Sequence, residues 1–112
     1  MVYSGALEVE EGDFILNAQR FIIREDEISF VLDGKDDYGF FIIEGVAKKT
    51  PDSVYFAPNC DLKYPAYPSP DKASIRIDSF ELSPDRNTCR ISGRWMQGDS
   101  WGFEGILEKF NA

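Results

Sequence analysis

From Thr88 onward the chain alternates strictly between apolar and polar positions. Cys89, Ile91, Gly93 and Trp95 share one parity, and Thr88, Arg90, Ser92 and Arg94 share the other. A period of two marks a strand with one buried face. After Gln97-Gly98-Asp99-Ser100 the alternation resumes, with Trp101, Phe103, Gly105 and Leu107 set against Gly102, Glu104, Ile106 and Glu108. The spacing predicts a β-hairpin with its turn at 97–100. On its outer face Arg90 or Arg94 is expected to pair with Glu104 or Glu108.

Similar patterns run through the rest of the chain. Ser74 to Leu82 reads as a strand whose apolar parity changes from Ile75 and Ile77 to Phe80 and Leu82, so a β-bulge is expected at Asp78-Ser79. Ser83 to Asn87 carries turn residues. Glu27 to Leu32 points Ile28, Phe30 and Leu32 inward, and Asp33-Gly34 reads as a turn. Tyr38 to Lys48 predicts a long strand, apolar on both faces through Phe40-Phe41-Ile42-Ile43, which implies cover on both sides by a second sheet or a partner chain. Val2 to Glu10 and Ser53 to Ala57 add two more strands. Asp13 to Arg24 fits a helical stripe through Phe14, Ala18, Phe21 and Ile22, and equally a strand over Arg20 to Arg24. Strand is preferred there, because it pairs with the next segment as a hairpin.

The expected fold class is therefore all-β, an antiparallel meander of about eight strands in a single domain spanning residues 1–112. Four strands share an apolar–x–Gly–x–apolar pattern, centred on Gly5, Gly45, Gly93 and Gly105. Each glycine lies on the inward parity, where it permits the sharp coiling that a small barrel requires. The strand count, this glycine placement and the Gly93-Arg94-Trp95 triplet resemble the calycin type of barrel. In that type, meandering strands enclose a small apolar ligand, and the resemblance implies such a cup here. The calycin Gly-x-Trp usually stands near the N-terminus, whereas here it is near the C-terminus. A closed or partly open barrel is expected, with a two-sheet β-sandwich, with or without one short helix at 13–24, as the alternative.

Composition sharpens this reading. Nine Phe, five Tyr and two Trp favour sheet. A formal charge of −8, from 12 basic and 20 acidic residues, disfavours nucleic acid and anionic membranes. No basic segment followed by an apolar core opens the chain, and no stretch is long enough to span a bilayer as a helix, so a cytoplasmic protein is expected. Cys89 reads as a buried thiol and Cys60 as a loop residue; a bridge between them is geometrically allowed and not implied.

Catalytic chemistry finds little support. The chain has no histidine, which removes Ser–His and Cys–His pairs. Two cysteines do not make a structural zinc site. Carboxylates gather at the turns, at Glu8 to Asp13, Glu25 to Glu27 and Asp33 to Asp37, where they read as solvated charge. The last run lacks the spacing of an EF-hand calcium loop. The expectation is a non-enzymatic protein with no catalytic residues, no cofactor and no metal.

Two features remain as candidate sites. The first is a cup lined by Phe30, Phe41, Trp95, Trp101 and Phe103, covered by the segment from Pro58 to Lys72. That segment holds four prolines, which bar it from a central strand, and two amphipathic tyrosines, Tyr64 and Tyr67. The second is a set of apolar residues of outward parity: Phe40, Ile42, Tyr55, Met96, Ile106 and Phe110. If their strands adjoin, they form a patch suited to a protein partner or a homodimer. The preferred function is a binding module for a small, largely apolar ligand; the alternative is an interaction or assembly domain.

Overall fold

The structure, a computed structural model, describes residues 1–10, 14–65 and 71–110. Eight strands follow in chain order: β1 (Val2–Val9), β2 (Ile15–Ile23), β3 (Glu27–Asp36), β4 (Gly39–Lys49), β5 (Tyr55–Lys63), β6 (Lys72–Leu82), β7 (Thr88–Gln97) and β8 (Asp99–Lys109). Each pairs antiparallel with the next, and β1 pairs back onto β8, so the meander closes into a barrel. The sandwich alternative is thereby set aside, and the segment expected at 13–24 contributes the strand β2 over Ile15–Ile23 rather than a helix, with Asp13 outside the described residues.

Closure follows from the register. Strands β1, β2, β4, β5 and β6 each carry a shift in pairing, including the one expected at Ile77/Ser79. Such irregularities bend and twist a strand, which is how a short meander meets its own first edge. A second device is close approach at glycine. A Cβ on Gly93 would stand 2.1 Å from the Arg76 carbonyl oxygen and 2.7 Å from the Phe103 ring. The space freed by the inward glycines is thus filled by neighbouring strands and aromatic rings. It is not left open as a cavity.

Four local expectations are corrected. Asp33-Gly34 is not a turn but the interior of β3, and the chain reverses at Asp37-Tyr38. Gly34 serves close approach, since a Cβ there would meet the Ile15 carbonyl oxygen at 2.1 Å. Asp33 accepts hydrogen bonds from Asn17 at 3.1 Å and from Gln19 across the β2 boundary. The strand at Ser53 to Ala57 is longer than expected, because β5 runs on through Pro58 to Lys63. A bulge between Ala57 and Cys60 leaves Pro58 without a ladder partner, and the missing N–H of proline costs nothing there. Cys60 therefore lies in a strand. Finally, Arg90 stands opposite Ile106 and Arg94 opposite Gly102, so the expected cross-strand charge pairs are absent from the described ion pairs.

The interior is one continuous apolar cluster. Tyr3, Leu16, Ile28, Ile43, Cys89 and Leu107 are fully buried, and among the described residues no polar or charged one joins them. One end is tied shut by two tyrosines. Tyr3 Oη donates to the Arg86 carbonyl at 2.9 Å, and Tyr55 Oη donates to the Glu25 carbonyl at 3.1 Å. Both cysteines are free thiols, and burial pushes Cys89 up to about 11. The unfolded chain ionises this thiol from pH 9 upward while the folded chain holds its proton. The contribution of Cys89 to stability is therefore complete below pH 9 and is lost as pH rises toward 11. At pH 8 a thiol reagent is expected to leave Cys89 unmodified until denaturant is added; rapid modification of the native protein at Cys89, read by peptide mass, would contradict this burial.

Candidate functional site

Antiparallel winding places the β1–β2, β3–β4, β5–β6 and β7–β8 connections at the end opposite the tyrosine ties. There the inward parities of β4, β7 and β8 present Phe41, Trp95 and Trp101, and Phe14 enters from the start of β2. These rings form one assembly. Phe14 lies 5.2 Å from Trp95, 5.9 Å from Trp101 and 6.3 Å from Phe41, while Phe41 lies 5.7 Å from Trp95 and 5.9 Å from Tyr64. The Phe14–Trp101 pair meets edge to face at 88°, an arrangement aromatic quadrupoles favour.

A cleft of about 440 Å³ opens over these rings, lined also by Asp36, Asp37, Tyr38 and Gln97. That volume falls at the small end of the range for ligand pockets. The polar groups are held in place. Trp95 Nε1 donates to Gln97 Oε1 at 3.2 Å. Asp36 accepts from the Tyr38 backbone N–H at 2.8 Å and from the Tyr64 hydroxyl at 2.5 Å.

Of the residues expected to line a cup, Phe41, Trp95 and Trp101 meet at this mouth, and Tyr64 packs beside Phe41. Phe30 and Phe103 lie elsewhere: they are buried in the barrel wall, their rings seated over Gly45 and Gly93. They belong to the packing, not to the cleft. Tyr67 falls outside the described residues. Phe14, Tyr38, Asp36, Asp37 and Gln97 were missed by sequence reasoning. Placing the reversal at Asp37-Tyr38 would have found most of them, because it sets Phe41 just inside the mouth and the two aspartates on its rim.

The outward apolar set does not form one patch. Phe40 (70% exposed) and Ile42 lie on β4, whereas Ile106 lies on β8, the opposite wall of the barrel. Phe110 is exposed just past the end of β8, and Met96 is half-buried on β7, ten residues before Ile106 along the chain. Tyr55 is a correction: it faces the core, packed 5.9 Å from Phe80. What does gather is a row across three strands, Ile15, Lys35 and Phe40, with Ile42 beside it. No other strand of the chain covers the outer face of β4, so the expected second cover is absent within the described residues.

Neither a protein-family profile nor a curated protein sequence matches the chain. Among solved structures it is similar to bovine odorant-binding protein in complex with a selenium-containing odorant. The match has a TM-score of 0.55 and 17% identity, covering 97% of this chain and 74% of that one. At that identity the likeness is one of fold, and it agrees with the closed calycin-like meander described above.

Proposed function

We propose that this protein is a non-enzymatic binding module that takes a small, largely apolar ligand at the aromatic mouth of its barrel. The observation that carries the reading is the convergence of Phe14, Phe41, Trp95 and Trp101 on one cleft, at the end opposite the Tyr3 and Tyr55 hydrogen bonds. A packed interior beneath Trp95, itself 1% exposed, makes the site a shallow cup and not a deep central cavity. Its occupant is correspondingly small. The odorant bound by the bovine neighbour supports this reading by analogy of fold.

Native mass spectrometry of the gently purified protein tests it. The expected result is an added mass of a few hundred daltons or less that leaves on denaturation, and whose occupancy falls at least about tenfold in Trp101→Ala. Retention of the same mass by Trp101→Ala would place the ligand elsewhere.

A second reading rests on the exposed row of Ile15, Lys35, Phe40 and Ile42, which suits a second copy or a protein partner. On that reading light scattering gives a dimer mass, and Phe40→Asp returns a folded monomer. A monomer for the unaltered protein at millimolar concentration would exclude self-association through this face.

A further inference from the structure

Resting on the mouth as a ligand site, we infer that its occupant is a small organic cation, an ammonium carried on an aromatic or branched alkyl body. The cleft combines π faces with carboxylates, and among the described residues that line it none is a lysine or arginine. Ring faces are negative and attract a cation within about 6 Å of the centroid, most strongly tryptophan. The rim adds Asp36 and Asp37, so both kinds of lining group favour the same sign of charge.

The hydrogen-bond inventory points the same way. The Trp95 indole N–H is engaged by Gln97, and the Tyr64 hydroxyl by Asp36. Two donors at the mouth, the Trp95 indole and the Tyr64 hydroxyl, are thus committed to acceptors of the protein itself. Asp36 is fixed from two sides, by Tyr38 N and Tyr64 Oη, so its carboxylate is oriented before any ligand arrives, and less ordering remains to be done on binding. Nearby lysines are turned elsewhere. Lys35 lies over the Phe40 ring at 5.3 Å on the outer wall, Lys63 pairs with Glu44 at 3.4 Å, and Lys72 pairs with Asp61.

These features discriminate between ligands. An anion would meet two carboxylates with no compensating cation, a repulsive arrangement that excludes it. A neutral body of the same shape would keep the ring contacts but leave the rim carboxylates unanswered. The cation satisfies both.

Calorimetry on the whole chain at pH 7 tests this with three probes of one shape: 2-phenylethylamine, 2-phenylethanol and phenylacetate. The amine is expected to bind one-to-one, at least about tenfold tighter than the alcohol, and phenylacetate is expected to give no heat. Asp37→Asn should remove most of the amine's advantage while leaving the alcohol's affinity in place. Asp52→Asn makes the same charge change in the β4–β5 turn at the far end and should leave the advantage intact, which separates the rim from the general pull of a −8 protein.

Equal affinity for amine and alcohol would overturn the cation and leave the ligand cup standing. Preference for phenylacetate would overturn it too, as would equal effects of the two aspartate variants. Silence from all three probes also overturns the cation; the cup itself would then stand or fall on the native mass measurement with Trp101→Ala.

Discussion

Gly93→Ala is expected to destabilise the barrel by about 3 kcal/mol, a large share of the roughly 5–15 kcal/mol that holds a domain of this size. The added methyl would stand 2.1 Å from the Arg76 carbonyl oxygen. That atom belongs to the backbone of β6, which is hydrogen-bonded to β7 on one side and to β5 on the other. It cannot swing away as a side chain would, so two paired strands must move apart. The Phe103 ring, 2.7 Å from the same position, would lose its seat as well.

Gly102→Ala supplies the contrast. Its methyl would meet only the carboxylate end of the Glu10 side chain, at 2.8 Å. A flexible side chain gives way, and the expected change is within about 0.5 kcal/mol. Urea unfolding followed by far-ultraviolet circular dichroism reads both variants. Equal midpoints for the two would contradict close strand approach as the reason for glycine at position 93.

Trp95→Ala is expected to cost about 3–5 kcal/mol, the range for deleting a buried aromatic side chain. Trp95 is the largest of the fully buried side chains, and it floors the cleft against Phe14 and Phe41. Its removal opens a void that packed strands fill only in part, because barrel closure holds their spacing. For a domain of this length that is a loss of about 15 °C or more in Tm. Trp101→Ala, at a half-exposed position on the same cleft, is expected to cost about 1–2 kcal/mol. A calorimetric scan separates the two: Trp95 acts through the fold, whereas Trp101 is free to serve a ligand. A Tm for Trp95→Ala equal to that of Trp101→Ala would mean the floor is not close-packed.

Much of this architecture was legible in the alternation of side chains. The β7–β8 hairpin and the bulge beside Asp78 follow from which parity carries apolar residues, whereas the inward glycines pointed to a barrel and left its closure open until β1 was seen to pair with β8. The site was legible in part. Phe41, Trp95 and Trp101 were found because they are aromatic residues of inward parity, and they lie near strand ends at the mouth. Phe30 and Phe103 have the same parity and residue type, yet they lie deeper along their strands, over glycines. Depth along a strand depends on where the turns fall, and Asp33-Gly34 was misleading there. An Asp-Gly pair favours a turn by local preference, but here the glycine answers the Ile15 carbonyl of the neighbouring strand. That contact is set by register and is invisible to a local reading. Tyr55 was assigned to the wrong face for a related reason. The chain enters β5 after a turn with Ser53 at positive φ, and no alternation bridges that reversal to carry the parity across.

The most direct test of the cleft as the binding place is a ¹H–¹⁵N spectrum recorded during titration with 2-phenylethylamine and, separately, 2-phenylethanol. The chain has two tryptophans, and both stand at the mouth, so the two indole N–H signals report on that end alone. Both signals are expected to move with at least one of the probes, together with the Tyr38 and Gln97 amides, while Tyr3, Ile28 and the outer-wall residue Phe40 keep their positions. Movement centred on Phe40 and Ile42, or at the tyrosine-tied end, with the indole signals still, would contradict the account.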